Sequence, residues 1–352
     1  MEDATLAMNR RIIPIRNANA EEARQRQVKR HIFQVVFFAV FILAPVFDIF
    51  RYDLEAGHAW LLGMEWRLGL DDFFAHRIGA AEAGTNILLR LFLPLFGGAA
   101  IFIGFARRWG RLYCGWLCPH FSVVESINRL MIRASAKHSI WDKEMLPPWK
   151  ADGSPRQRDA RWWLLALPAA VAFAFCWAVV FLTYLLPPAE VYGNLVHATL
   201  TRNQALFLGA ATVVLSLEFT FARHLFCRYA CAVGMFQSLA WIGNRDAMVV
   251  AFDRARGGDC NNCLPERQSA CDAACPMRLN PRNIKRHMFA CTQCGQCLSA
   301  CGESQADNPQ GPLLHWVSGE QARQNEAGFR PGGRVADLKG QLADNPADKR
   351  RS

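Results

Sequence analysis

Residues 291–301 read Cys291-Thr292-Gln293-Cys294-Gly295-Gln296-Cys297-Leu298-Ser299-Ala300-Cys301, a C-x2-C-x2-C-x3-C run. That spacing wraps three thiolates around one face of a four-iron cubane and leaves the fourth cysteine to a second cluster. A second run is therefore expected. Residues 260–276 supply it as Cys260-x2-Cys263-x7-Cys271-x3-Cys275-Pro276. The terminal Cys-Pro is that of the bacterial pattern, whereas the x7 spacer is five residues longer than the usual x2. With the usual crossover, Cys260, Cys263, Cys271 and Cys301 hold one [4Fe-4S] cluster, and Cys275, Cys291, Cys294 and Cys297 hold the other. Paired four-cysteine zinc sites are the alternative, but zinc has no use for the third cysteine of a C-x2-C-x2-C-x3-C run.

Four more cysteines form two pairs, Cys114-Gly115-Trp116-Leu117-Cys118-Pro119 and Cys227-Arg228-Tyr229-Ala230-Cys231-Ala232. Phe105-Ala106-Arg107 precedes the first pair and Phe221-Ala222-Arg223 the second, which suggests two related helical hairpins facing each other. Cysteines four apart on a helix present both thiols on one face. Two such faces would offer four soft thiolates for Cu(I), for a further iron-sulfur centre or for dithiol chemistry; the bland alternative is helix packing. The thirteenth cysteine, Cys176, stands alone in an apolar run and is expected only to pack.

The elements that position these groups are set by the apolar runs. The chain has 352 residues, 52% hydrophobic and 20% charged, which excludes a disordered chain and a small disulfide scaffold. Residues 31–50, 87–106, 162–186 and 205–222 each approach the roughly 20 residues that cross a hydrocarbon core, so four transmembrane helices are expected. The first run begins too late and is too long for a cleavable signal peptide. The formal net charge of +10 is placed beside the apolar runs, where it fits a membrane surface better than nucleic acid.

Lys and Arg set the orientation: seven fall in residues 1–30 and eleven in 107–161, against three in 51–84 and one in 187–203. Both termini are therefore expected in the cytoplasm, and in that reducing compartment disulfides are not. The Trp- and Leu-rich loop around residues 59–74, broken by charges, is expected at the outer interface, and residues 232–242, too short to span, at the inner one. Glu218 is a candidate proton carrier or quinone-site residue, but it stands five residues from Arg223 and about two turns from the interface, so snorkelling or an ion pair is the favoured explanation. His224 lies beside the second pair, and His197 and His58 fall on the outer side, where lone histidines are ordinarily surface residues.

The segment Tyr113–Pro119, the segment Cys227–Cys231, Phe236-Gln237-Ser238, the linker at residues 244–257, both cysteine runs and Gly311-Pro312-Leu313-Leu314 resemble one family. It is the CcoG/FixG/RdxA group, the membrane iron-sulfur proteins accessory to cbb-type cytochrome c oxidase; the NapH and NosR electron-transfer proteins are more distant. The resemblance covers residues 30–317. It implies electron flow between two [4Fe-4S] clusters and the membrane cysteines, with copper reduced at Cys114, Cys118, Cys227 and Cys231 during oxidase assembly. Three departures stand out: Cys231-Ala232 replaces Cys-Pro, the first cluster run is lengthened, and the family's last transmembrane helix and extracytoplasmic β-sandwich have no counterpart here.

The expectation is a multi-pass all-α protein of a bacterial inner membrane. It would comprise a basic segment (1–30), a four-helix membrane domain (31–243), a cytoplasmic two-cluster ferredoxin-like domain (244–317) and a polar mobile tail (318–352). Its partners would be the lipid bilayer and either oxidase assembly factors or a copper transporter. The alternatives are a NapH-like subunit that takes electrons from quinol for a partner reductase, and a non-catalytic redox sensor or assembly scaffold.

Overall fold

The computed structural model describes residues 16–265 and 268–329. Helix α1 (Arg16–Leu43) runs 28 residues, about 42 Å at 1.5 Å per residue. It stops before Pro45, and Asp48 takes a left-handed φ of 52°, so residues 44–50 of the expected first span turn away instead of continuing the helix. The chain then forms an antiparallel sheet of β1 (Phe50–Asp53), β2 (His58–Leu61) and β3 (Met64–Trp66). Leu62 and Gly63, both with positive φ, make the two-residue turn between β2 and β3. The Tyr52 and Leu54 amides tie this sheet to the backbone carbonyls of Tyr184 and Leu185.

After the short helix α2 (Leu70–Phe74), α3 (Ala80–Ile87) passes through a wide turn at Leu88–Phe92 into α4 (Leu93–Trp109). Leu93, Leu95, Phe96, Ile101 and Ile103 of α4 are exposed on its surface, as lipid-facing residues would be. The short α5 (Leu112–Trp116) and the longer α6 (Pro119–Ser135) follow, and then α7 (Trp163–Thr183). On α7, Ala166, Ala170, Ala174 and Ala178 recur every four residues and are fully buried, so neighbouring helices can approach closely. Helix α8 (Pro188–Val196) leads to α9 (Arg202–Leu217), whose start carries a capping box between Thr201 and Gln204. A wide turn extends α9 to Ala222, a second covers Phe226–Ala230, and α10 (Ala232–Ile242) completes the membrane part.

Three helices are long and apolar enough to cross a membrane among the described residues: Ala80–Trp109, Ala160–Thr183 and Arg202–Ala222. The expected fourth, within α1, is not among them, because its N-terminal half is polar and basic and its apolar half ends at Leu43.

The remaining chain packs as a module on this base. Strands β4 (Val249–Phe252) and β5 (Leu314–Val317) pair antiparallel and close a segment containing α11 (Ala270–Ala274) and α12 (Gln296–Ser304). The chain is thus mostly helical, and the all-α expectation missed two small sheets whose strands of three or four residues carry little periodic signal. The expected mobile tail is also corrected in part: α13 (Glu320–Ala327) packs on β4, with Ala322 and Asn325 fully buried. Asn325 accepts a hydrogen bond from the Phe252 amide, and Glu326 accepts from the Lys285 amide. Residues 330–352 of that tail, and 1–15 of the basic segment, lie outside the described residues.

Candidate functional site

The cysteine runs of the module fold into two neighbourhoods. Cys271 sits on α11, and Cys275 ends it just before Pro276. Gly295, with φ 71°, turns the Cys291–Cys294 loop into α12, which carries Cys297 and Cys301. Cys301 lies within electrostatic reach of Cys260 and Cys263, and Cys271 within reach of Cys301. Cys275, Cys291, Cys294 and Cys297 line one enclosed cavity. Cys297 and Cys271 bring the two neighbourhoods side by side.

Two opposing influences act on these sulfurs. Backbone amides point at the sulfurs: Leu313 N donates to Cys301 Sγ at 3.3 Å and Leu279 N to Cys275 Sγ at 3.4 Å. Burial pushes the Cys271 and Cys291 thiols up to about 12 and Cys301 up to about 11. As free thiols they would be neutral, and only a bound cation would hold them as thiolates.

The membrane pairs occupy equivalent breaks. The first span ends at Gly110, φ 65°, and the last at Arg223, φ 48°, each four residues before the first cysteine of its pair. In each case the second cysteine caps the following helix, Cys118 on α6 and Cys231 on α10. Cys118 lies within electrostatic reach of Cys114 and Cys231, and Cys227 within reach of all three others. The four thiols thus share one neighbourhood.

This boundary quartet abuts the module. A Cβ on Gly115 would lie 2.3 Å from the Thr292 carbonyl oxygen and 3.1 Å from Cys294 Cα, so only glycine permits the contact. Trp116 Nε1 donates to the Gln293 carbonyl at 3.0 Å. A buried pair reinforces the junction: Arg30 of α1 bonds Glu125 of α6, and Gln296 Nε2 donates to Glu125 at 2.7 Å.

Among the described residues no group of three or more His, Cys, Asp or Glu is arranged to hold a metal ion.

Several important residues were not singled out from sequence. His120 Nε2 meets Glu218 Oε2 at 3.0 Å, and its Nδ1 lies 3.7 Å from Cys227 Sγ. Glu218 therefore has a partner, His120, in place of the expected Arg223, which reaches Asn128. Arg111 lies buried between the two hairpins, and Gln237 Oε1 accepts from Cys114 Sγ at 2.9 Å. His224 is buried against Phe121. His58 is buried against Trp60, and His197 caps α8; both stand apart from the quartets, as does Cys176 in the middle of α7. Proximity in sequence could have flagged Arg111 and His120, but their roles need the fold.

A family model described as a 4Fe-4S binding domain matches residues 91–137 and 203–246, the two stretches that contain the membrane pairs. The methylamine utilization ferredoxin-type protein MauN of Methylorubrum extorquens is 26% identical over 245 residues, 66% of this chain and 70% of that protein. The ferredoxin-type protein NapH of Haemophilus influenzae is 25% identical over 291 residues, 78% of this chain and 86% of that protein. An uncharacterized protein of Methanocaldococcus jannaschii, MJ0750, is 26% identical over 199 residues, 54% of this chain and 69% of that protein. No solved structure matches. The CcoG/FixG/RdxA group itself is not shown by these matches. The chain carries a 4Fe-4S binding domain in two regions and is a distant relative of ferredoxin-type proteins of the NapH and MauN kind.

Proposed function

We propose that the chain is a multi-pass membrane electron-transfer protein that joins a donor at the bilayer to an acceptor in the cytoplasm, as a NapH-like subunit would. The observation that carries this reading is the junction at Gly115, where the backbone of the membrane pair touches the Thr292–Cys294 loop. A [4Fe-4S] cluster bound by Cys260, Cys263, Cys271 and Cys301, and another by Cys275, Cys291, Cys294 and Cys297, supply one-electron carriers. The chain's own part is to bury these thiols, aim backbone N–H groups at the sulfurs and fix the spacing of the quartets. Glu218 of the last span and His120 of α6, which reaches from Glu218 to Cys227, fit a site that handles protons at the membrane side.

On this reading α1 forms a fourth crossing of a bacterial inner membrane, with both termini cytoplasmic. Two contacts support it: Ala23 packs near Ser299 of the module, whereas the Phe41 carbonyl accepts from Tyr184 at the far end of α7. A partner reductase in the cytoplasm would then receive the electrons.

Copper reduction for oxidase assembly is the second reading, favoured by the convergence of four soft thiols at the boundary. The test is electron flow in proteoliposomes from a quinol analogue to a water-soluble acceptor. Flow that disappears in Cys294→Ser supports the relay. No flow, together with Cu(II) reduction by the dithionite-reduced protein, supports the copper reading and overturns the first.

A further inference from the structure

We infer that a small monovalent anion of halide size binds in the enclosed cavity between the break after the last span and the module, held by Arg223, Arg228 and His224. No cysteine lines this cavity, and it is separate from the proposed relay.

The cavity measures about 10 Å3, about the room that one small occupant needs. Arg223, Arg228 and Arg278 line it together with His138 and His224. Asp142 neutralises Arg278, paired with it at 2.5 Å, but neither of the other two arginines has a carboxylate in ion-pair range among the described residues. Arg223 is only 2% exposed, and the partners of its Nη1, Asn128 Oδ1 at 3.0 Å and Met131 Sδ at 2.7 Å, are uncharged. Arg228 Nη1 donates to the Met277 carbonyl at 2.8 Å, also uncharged. Both guanidinium groups are permanently positive, and a buried cation without a counter-ion is costly.

The hydrogen-bonding capacity of the cavity is open as well. Arg223 Nε and both ring nitrogens of His224 are buried without a partner. A water would satisfy such groups but would leave two positive charges uncompensated, whereas an anion answers both needs. The backbone adds an independent sign. Arg223 takes φ 48° and ψ −122°, a region that suits glycine, and the corresponding break after the first span does use a glycine, Gly110 at φ 65°. A strained arginine in a glycine position is kept for its side chain. An open groove of about 550 Å3 shares His138 and Arg278 with the cavity, which gives an ion a way in from solvent. Pro276 and Met277 form the module's side of the cavity, so the bound anion ties the break after the last span to the turn that follows Cys275.

The test uses full-length protein purified anaerobically in detergent. When chloride replaces gluconate at constant ionic strength, the melting temperature should rise by roughly 2–5 °C for each tenfold increase in chloride above its dissociation constant. Arg223→Gly relieves the left-handed turn while removing the charge, and it should lose that dependence with its iron content unchanged. Crystals of the unaltered protein grown in bromide should show an anomalous peak between Arg223, Arg228 and His224, a measurement that needs no variant. An equal chloride dependence in Arg223→Gly, or sulfate as effective as chloride, would overturn the site. So would a bromide-grown crystal with only water in the cavity.

Discussion

The module and the membrane boundary gather cysteines in opposite ways. In the module, all eight thiols come from two short runs, and a left-handed glycine at 295 and a proline at 276 set the local turns. At the boundary, each half contributes only two thiols, and the halves are brought together from positions more than 100 residues apart by helices that break at Gly110 and Arg223. The module's site is a property of loops, whereas the boundary site is a property of the tertiary structure. Damage to long-range packing should therefore harm the boundary first.

The largest test of that difference is Glu125→Ala. It leaves Arg30 buried beside Cys294 and Gly115 without its carboxylate, a loss of about 3–5 kcal/mol by the rule for half-broken buried pairs. Thermal unfolding in detergent, followed by tryptophan fluorescence, should shift strongly downward. Gly115→Ala is next, with an overpacking penalty of about 1–3 kcal/mol, because its new Cβ strikes the Thr292 carbonyl. It should leave iron content unchanged and slow electron flow across the junction; flow at the unaltered rate would show that the contact is not the route.

Smaller effects belong to the module alone. Asn325→Ala removes the acceptor for the Phe252 amide and should cost about 1 kcal/mol, read as a lower melting temperature with electron flow at the boundary unchanged. The smallest is a pH slope from Lys285. Burial holds its ammonium down to about 8, against an ordinary lysine value of 10.5. Between those values the unfolded chain binds more protons, so stability rises as pH increases through that window. Lys285→Met should flatten the slope; an unchanged slope would assign it to another group.

The two cysteine runs were legible because iron-sulfur spacing is local, and in the fold Cys301 lies near Cys260 and Cys263 while Cys275, Cys291, Cys294 and Cys297 line one cavity. The repeated cysteine pairs also announced their convergence. Arg111, Gln237 and His120 were not legible as partners, since their significance depends on contacts across the hairpins. The first span was overextended because apolar composition continues past Pro45 while the backbone turns. The tail was taken as mobile because α13 is polar in composition, and its buried face rests on Ala322 and Asn325 alone.

The central claim is that the boundary quartet lies between the membrane donor and the module. The most direct measurement is rapid-freeze EPR of proteoliposomes mixed anaerobically with a quinol analogue, comparing the unaltered protein with Cys114→Ser, Cys227→Ser. The account predicts that reduced-cluster signals of the module appear in the unaltered protein and not in the double variant, although dithionite still reduces the module in both. Equal reduction by the quinol analogue in both proteins would contradict it.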